Sequence, residues 1–240
     1  MKTKRMLFAL ALAALVFSAA AAFAEVQLFV SKNTVKVYDP ELKNYSVLND
    51  FHANGWKTHN YLALVWDAND AWAYDIRTHE WLPLNGFAAV NTVMSDNYAM
   101  IWEPTRVAIF DAKARKWIVS PEPITTVRSP LISRGMGAML TDAEFVVFDP
   151  VLHEWKAFET ERAGSGETFD WDAVLGDRLA VCWDDTKVVL YDTTLHQWQE
   201  KEIAKVQAAL MDEYSVKVFT ADNVYLYDAM KHRWSVKERQ

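Results

Sequence analysis

Short apolar runs separated by polar turns recur along most of the chain. In one stretch the runs are Ala89–Met94, Tyr98–Trp102, Val107–Phe110 and Trp117–Val119, with Ser, Asp, Asn and Pro between them. They are too short for helices, and their β-branched and aromatic residues are typical of strands. The pattern therefore predicts four short strands per segment.

An aspartate followed six residues later by an aromatic marks each of these segments. The six pairs are Asp39/Tyr45, Asp75/Trp81, Asp111/Trp117, Asp149/Trp155, Asp192/Trp198 and Asp228/Trp234, and their aspartates lie 36, 36, 38, 43 and 36 residues apart. Self-similarity at such a period indicates a repeat architecture. Four short antiparallel strands per repeat are typical of a propeller blade. We expect an all-β, six-bladed β-propeller of four-stranded antiparallel blades.

Residues 1–24 have the features of a secretory signal peptide. Lys2, Lys4 and Arg5 precede the apolar run Met6–Ala22, and Ala22-Phe23-Ala24 is a cleavage site of small residues. This order predicts a signal peptide at 1–24, a propeller domain at 25–240, and a periplasmic or secreted protein. An uncleaved membrane anchor is the alternative, because the run approaches the length of a membrane span.

The first blade should have three strands. By the spacing of the other repeats, its innermost strand would fall at residues 17–22, inside the signal peptide, and the next strand is Val26–Val30. The inner edge of this blade is then unpaired. An open strand edge can pair with a strand from another chain.

Charge narrows the range of partners. Without Lys2, Lys4 and Arg5, the 25 Lys and Arg fall to 22 against 32 Asp and Glu, a formal charge of −10. This balance argues against nucleic acid, whose phosphates need basic side chains, and against an anionic membrane surface. No second apolar segment is long enough for stable membrane insertion after signal cleavage. Cys182 is the single cysteine, and we interpret it as a small buried apolar residue.

The repeated aspartates have a structural interpretation. A carboxylate at the start of a turn accepts a hydrogen bond from the N–H two residues on, and one such residue per blade cannot converge into a catalytic pair. The same reasoning applies to four histidines two residues before the loop-closing tryptophan, which are His79, His153, His196 and His232. Metal ligands must meet within about 2 Å of one ion, so we expect no metal site and no cofactor.

The repeat resembles that of the kelch family of β-propellers. The resemblance is carried by runs such as Phe145–Trp155 and Val188–Trp198, in which a strand ends in an aromatic and an aspartate and a tryptophan opens the outer strand. It implies a central channel and two loop-bearing faces. It does not imply one function, because the family includes binding modules and enzymes. The Gly-Gly pair of kelch repeats is replaced here, for example by Trp102-Glu103 and Trp183-Asp184.

The longest repeat carries the strongest candidate for a binding surface. About seven extra residues fall within Glu159–Asp172, and insertions in repeat proteins often form the binding face. The candidate ligand-binding residues are Glu167, Asp170, Trp171 and Asp172. The alternative is that Trp171 packs beneath the loop. Further acids, such as Asp67, Glu103, Asp142 and Asp184, would share this face, where they indicate a cationic partner or serve solubility.

Two functions remain open. The first is an exported, non-catalytic propeller that binds a protein or cell-envelope ligand, since loops on rigid scaffolds commonly carry function. The second is a cell-envelope carbohydrate-active enzyme that uses carboxylates at the channel mouth, such as Asp170 and Asp172. Glycosidases need two carboxyl groups roughly 5–10 Å apart on either side of the bond. Neighbours two apart on one strand face the same way, which makes them a poor pair.

Overall fold

The computed structural model describes residues 25–121, 123–160 and 171–239, and in these ranges the regular elements are β-strands. Sheet 1 contains β1 (Gln27–Ser31), β2 (Thr34–Asp39) and β3 (Asn44–Asn49). Sheet 2 contains β4 (Gly55–His59), β5 (Leu62–Trp66), β6 (Ala71–Asp75) and β7 (Glu80–Leu84). Sheet 3 contains β8 (Asn91–Met94), β9 (Tyr98–Trp102), β10 (Val107–Asp111) and β11 (Lys116–Val119).

The remaining strands form three more sheets of the same design. Sheet 4 contains β12 (Val127–Ile132), β13 (Gly137–Thr141), β14 (Glu144–Asp149) and β15 (Glu154–Glu159). Sheet 5 contains β16 (Asp172–Leu175), β17 (Leu179–Trp183), β18 (Lys187–Asp192) and β19 (Gln197–Glu202). Sheet 6 contains β20 (Ala208–Met211), β21 (Ser215–Phe219), β22 (Asn223–Asp228) and β23 (Arg233–Glu238).

Strands that follow one another in the chain are neighbours in each sheet, and the pairings are antiparallel. Sheets 2 to 6 have four strands each, and sheet 1 has three. The predicted all-β, six-bladed β-propeller with a three-stranded first blade is therefore confirmed. The same register recurs, so that the aromatic before the aspartate lies opposite the loop-closing aromatic, as Phe148 lies opposite Trp155. Among the described residues, no helix is long and apolar enough to cross a membrane.

Two strands differ in detail from the predicted pattern. The predicted strand Ala89–Met94 begins at Asn91, although the N–H of Val90 still donates to the carbonyl of Trp102 at 2.8 Å. Strand β12 contains Pro130 and shifts register between Val127 and Ser129. Proline has no N–H to donate to a ladder, which confines it to edge strands and bulges. β12 is an edge strand of sheet 4.

The chain divides into two compact units, Met1–Asn85 with sheets 1 and 2, and Gly86–Gln240 with sheets 3 to 6. In the first unit, Val35, Val37, Val65 and Tyr74 are fully buried between the two sheets. In the second unit, three clusters fill the spaces between successive sheets. Cys182 is fully buried in one of them, and burial raises the pKa of its thiol. It is a packing residue there, as its strand context indicates.

Candidate functional site

The repeated aspartates begin the loops that join the third and fourth strands. Asp39, Asp149 and Asp192 are fully buried. Oδ1 of Asp149 accepts hydrogen bonds from the backbone N–H groups of Val151 and Leu152 at 2.9 and 3.1 Å. In all six repeats Oδ1 accepts the N–H two residues on. The geometry is that of a carboxylate that shapes a tight turn.

The second oxygen of these carboxylates links one sheet to the next. Oδ2 of Asp149 accepts a hydrogen bond from the hydroxyl of Tyr191, which belongs to the following sheet, at 2.7 Å. Equivalent bonds of 2.8 Å join Tyr74 to Asp39 and Tyr227 to Asp192. Each such aspartate therefore fixes its own loop with one oxygen and the neighbouring sheet with the other.

The loop histidines complete these contacts. Nδ1 of His196 lies 2.7 Å from Oδ2 of Asp149, and Nδ1 of His79 lies 2.6 Å from Oδ2 of Asp39. Because an ionised carboxylate only accepts, the histidine nitrogen carries the proton. Weaker approaches join His232 to Asp192 at 3.2 Å and His153 to Asp111 at 3.3 Å. Sequence reasoning placed these histidines in loops but missed their bonds, because the partner is the aspartate of the preceding sheet, 40 residues earlier for His79 and 47 for His196.

An unusual backbone conformation accompanies this position. The residue four after the aspartate has a positive φ in every repeat: Lys43 (51°), His79 (59°), Arg115 (55°), His153 (54°), His196 (55°) and His232 (48°). Non-glycine residues adopt this left-handed conformation rarely, and histidine is among those enriched in it. The repeated turn thus accounts for the positive φ at this position, which His, Lys or Arg occupies in this chain.

These contacts determine the charge state of the inter-sheet carboxylates. Burial by itself raises the pKa of Asp149. Hydrogen bonds from His196, Tyr191 and the backbone of its own loop have the larger combined effect, and they hold the pKa below its ordinary value. Hydrogen bonds lower the pKa of Asp39 in the same way, although its burial raises it. Burial, and then the bond to the carboxylate, raises the pKa of Tyr191. The carboxylates are therefore ionised acceptors and the tyrosines neutral donors near neutral pH.

The loop-closing aromatics pack on the aromatic that precedes the aspartate. The ring centroids of Tyr191 and Trp198 lie 4.8 Å apart, and those of Phe148 and Trp155 lie 5.5 Å apart. Trp155 is 8% exposed and donates its indole N–H to the carbonyl of Ile118 in the preceding sheet at 3.1 Å. The others are Trp81, Trp117, Trp198 and Trp234, which are half-buried, and Tyr45, which is 49% exposed.

A depression of about 570 Å³ lies where strands two and three of sheet 5 are joined, and we call it the hairpin-end depression. It is lined by Glu159, Thr160, Trp171, Asp184, Thr186, Lys187, Glu202 and Ala204. The indole N–H of Trp171 is buried and has no hydrogen-bond partner within residues 25–121, 123–160 and 171–239. Nζ of Lys187 lies 4.9 Å from the ring centroid of Phe158 and 5.8 Å from that of Trp171. The depression therefore combines aromatic surface with carboxylates.

The predicted ligand-binding residues take different positions around this depression. Trp171 is 9% exposed and packs with Leu140 and Phe145 between sheets 4 and 5. Asp172 is exposed at the start of β16, opposite Trp183. Glu167 and Asp170 lie outside the described residues. The distance between the carboxyl groups of Asp170 and Asp172 is therefore not described either. Trp171 thus lines the depression while most of its side chain packs in the core.

Several acids predicted for this face are engaged within the protein. Asp184 is 6% exposed and accepts from the backbone N–H groups of Thr186 and Lys187 at 2.7 Å each. Glu103 forms an ion pair with Arg106, and Asp142 forms one with Arg128. The acidic character of the hairpin-end depression therefore rests on Glu159 and Glu202, which are exposed.

A second depression, of about 580 Å³, lies among the loops that contain His153 and His196. Several of its ionisable groups face other groups of the fold. His153 faces Asp111 and His196 faces Asp149, while Asp177 accepts from the N–H of Gly135 at 3.2 Å. A Cβ on Gly135 would overlap the backbone carbonyl of Asp177, so the glycine permits a close approach of two turns. Packing between sheets accounts for His153, His196 and Asp177.

The described residues contain no group of three or more His, Cys, Asp or Glu side chains arranged to hold a metal ion. The histidines are separated by the sheets that carry them, and their Nδ1 atoms face carboxylates. The repeat therefore places its ionisable side chains at the junctions between sheets.

Comparison with known proteins finds solved structures of similar fold but no protein family that matches this chain. No protein-family model matches the chain, and no curated protein matches it. BamB from Moraxella catarrhalis is 13% identical, with 91% of this chain and 74% of that chain covered at a TM-score of 0.41. Hsv2 from Kluyvelomyces marxianus is 12% identical, with 91% and 82% covered at 0.41. AztD from Citrobacter koseri is 11% identical, with 90% and 70% covered at 0.40. At these values the fold assignment rests on the strand pairing, and the resemblance to kelch repeats stays a prediction.

Proposed function

We propose that this protein is an exported, non-catalytic β-propeller that binds a protein or cell-envelope ligand at the hairpin-end depression. The observation that carries the proposal is the buried indole N–H of Trp171, which has no hydrogen-bond partner among the described residues, beside a depression with carboxylates at its margin. Tryptophan is enriched among residues that dominate binding energy. Thr160 and Trp171, the described residues on either side of segment 161–170, both line the depression, and insertions in repeat proteins often serve as binding loops.

The side chains of the depression favour a cationic group on the ligand. Glu159 and Glu202 are exposed at its margin, and Lys187, which also lines it, pairs with Glu200 at 3.0 Å. The ammonium of Lys187 already lies near two aromatic rings, which is a favourable place for a cation. A lysine or arginine side chain of a partner would meet the carboxylates of Glu159 and Glu202 and would compete with Lys187 for the rings.

The carboxylates of the repeat turns are poor candidates for a general acid. Hydrogen bonds hold the pKa of Asp39, Asp149, Asp212 and Asp228 below the ordinary value, against burial in the first two. A general acid in a glycosidase needs a carboxyl group with a raised pKa. Carboxylates that stay ionised accept hydrogen bonds or attract cations instead.

Binding to a lysine-rich peptide, measured by calorimetry, tests the site. The double variant Glu159→Gln, Glu202→Gln should bind the peptide at least several-fold more weakly, because both exposed carboxylates are lost. The matched control is Glu238→Gln, which removes an exposed carboxylate from the last strand. Equal affinity of all three proteins would contradict a cationic ligand at this depression.

A second experiment tests the insertion itself. Residues 162–168 are replaced by a short Gly-Ser linker, and capture of proteins from a native envelope fraction is compared with that by the unaltered chain. The melting temperature should barely move, because loop length changes closure entropy only slightly. A partner that is lost with the insertion, but kept by Glu238→Gln, supports this face. Retention of every partner would direct the search to the loops that contain His153 and His196.

Export is tested by sequencing the N-terminus of the protein recovered from the cell envelope. Cleavage after Ala24 should give a chain that begins at Glu25, since the Ala22-Phe23-Ala24 site follows an apolar run. Recovery of a peptide that runs intact from Met1 through Glu25 would contradict cleavage and support the anchor alternative. This result is independent of the ligand experiments.

A further inference from the structure

The junction between sheets 3 and 4 differs from the other two junctions of the second unit in one hydrogen-bond donor. Tyr191 donates to Oδ2 of Asp149 between sheets 4 and 5, at 2.7 Å. Tyr227 donates in the same way to Oδ2 of Asp192 between sheets 5 and 6, at 2.8 Å. Between sheets 3 and 4 the same repeat position, directly before the next aspartate, is Phe148. Phenylalanine has no hydroxyl, so this junction cannot form the bond.

Asp111 is the carboxylate that meets Phe148 instead of a tyrosine. It is 1% exposed, and its Oδ1 accepts from the backbone N–H groups of Lys113 and Ala114 at 2.9 and 3.1 Å. Nδ1 of His153 lies 3.3 Å from Oδ2, but within the described part of the chain this nitrogen has no hydrogen-bond partner. Oδ2 of Asp111 therefore accepts no hydrogen bond from the described residues, although buried polar atoms in proteins are usually paired.

The hydroxyl of Tyr98 is a second polar group at this place. Tyr98 lies directly opposite Asp111 in the pairing of β9 with β10, so both side chains leave the sheet on the same face. Both line the depression of about 580 Å³ among the loops that contain His153 and His196, which we call the loop-end depression. Tyr98 is 2% exposed, and its hydroxyl forms no hydrogen bond with the described residues. Burial, and then the charges of Asp111 and Asp177, raise the pKa of Tyr98, so the hydroxyl is neutral and can donate.

Basic side chains stand at the margin of the loop-end depression. Lys113 and Arg178 line it and are exposed, and neither forms an ion pair with a described carboxylate. The guanidinium of Arg178 lies 4.9 Å from the ring centroid of Tyr214, which supports it from sheet 6. Asp177 also lines the depression, and its Oδ2 lies 3.8 Å from the guanidinium of Arg134. The margin therefore presents two bases without a carboxylate partner among the described residues.

We propose that the loop-end depression binds a sugar acid, which is a saccharide unit that carries one carboxylate. A sugar hydroxyl both donates and accepts, so hydroxyls of one ring donate to Oδ2 of Asp111 and accept from Tyr98. The carboxylate of the sugar pairs with Lys113 and Arg178, in the charge-assisted geometry that guanidinium groups favour. The volume lies within the range of small-molecule sites, roughly 300–1,000 Å³. This site is separate from the hairpin-end depression and takes a ligand of opposite charge.

Other classes of ligand match these groups less completely. A fully ionised anion such as sulfate would pair with Lys113 and Arg178, but it has no hydrogen to donate to Asp111. An alkylammonium ion would donate to Asp111, but both bases would repel it. A neutral sugar would satisfy Asp111 and Tyr98 and would leave the two bases without a partner. A sugar acid supplies donors, acceptors and a negative charge in one molecule.

Calorimetric titration with matched sugars tests the charge preference. Glucuronate and glucose differ in one carboxylate, as do galacturonate and galactose, and at least one acid should bind several-fold more tightly than its neutral counterpart. The double variant Lys113→Gln, Arg178→Gln should abolish this difference, because the bases that pair with the carboxylate are lost. The matched control is Lys201→Gln, Arg233→Gln, which removes two exposed bases that do not line the depression. Failure of both acids to bind, or equal affinity for acid and neutral sugar, would overturn the proposal.

Two further variants test the inner groups with the sugar acid that binds. Phe148→Tyr supplies the hydroxyl that the neighbouring junctions have, so it should raise the melting temperature and weaken binding several-fold by occupying Oδ2 of Asp111. Tyr98→Phe should weaken binding several-fold and leave the melting temperature unchanged, since its hydroxyl has no hydrogen-bond partner among the described residues. Tyr225→Phe, in sheet 6 and away from the depression, should bind like the unaltered protein. Unchanged binding in Tyr98→Phe would overturn the proposal, even if Phe148→Tyr failed to fold.

Discussion

The hydroxyl of Tyr191 donates a hydrogen bond to Oδ2 of Asp149 across two neighbouring sheets, at 2.7 Å. The carboxylate is fully buried, so this donor replaces water that the group loses on folding. Oδ1 of the same carboxylate holds its own loop through Val151 and Leu152. One side chain therefore couples the conformation of a loop to the packing of the next sheet, and the repeat uses the arrangement more than once.

Removal of this hydroxyl should destabilise the protein. Tyr191→Phe leaves a buried carboxylate with one donor fewer, and we expect the free energy of unfolding to fall by about 1–3 kcal/mol. The ring itself is tolerated, because Phe148 holds the same repeat position in sheet 4. Tyr61→Phe, at a position 37% exposed, is the control and should change stability little. Denaturant unfolding measures both, and equal stability of the two variants would contradict a contribution from the hydroxyl.

The loop-closing tryptophans should differ in their effect on stability. Trp155→Ala removes a side chain that is 8% exposed and packed between sheets 3 and 4, which should lower the free energy of unfolding by about 3–5 kcal/mol. Trp117→Ala should have a smaller effect, because that side chain is half-buried and leaves a more open space. Calorimetric melting compares them. A loss below about 1 kcal/mol for Trp155→Ala would be incompatible with its burial.

Acid should weaken the contacts between sheets. The folded protein holds the pKa of Asp149 and Asp39 below the unfolded value, which is about 3.9. The stability that these carboxylates contribute is therefore fully present above about pH 4 and is lost as the pH falls through the folded pKa. Melting temperatures between neutral and strongly acidic pH should show the decline. It should be shallower in Tyr191→Phe, since one bond that lowers the pKa is gone, and unchanged in Tyr61→Phe.

The open edge of sheet 1 predicts unequal hydrogen exchange in two equivalent strands. Within the described part of the chain, β1 pairs with β2 alone, whereas the equivalent strand β5 lies between β4 and β6. The amides of β1 should therefore exchange faster than those of β5 in the dilute protein, because backbone groups at an edge contact solvent. Slow exchange along β1 in a single-chain preparation would show that another segment completes the sheet. Slowing only after addition of a partner would identify a donated strand.

Much of the architecture was readable from the sequence because it depends on local pattern. The constant spacing of aspartate and aromatic residues, with short apolar runs between them, predicted the number of sheets, their strand order and the missing strand of sheet 1. Strand patterns and turn chemistry depend on a few neighbouring residues, and their repetition makes them easy to recognise in the sequence. The turn at Asp149 follows the same logic, since its bonds to Val151 and Leu152 are local.

Only the tertiary structure shows which residues far apart in the chain are in contact. Tyr191 and Asp149 are 42 residues apart and His196 and Asp149 are 47 apart, and only packing of one sheet on the next brings them within 2.7 Å. Packing also decided that Trp171 lies mostly in the core although it borders the insertion. Residue type and spacing give no register between sheets. That register depends on burying apolar faces while giving every buried carboxylate a donor, a condition on the whole fold.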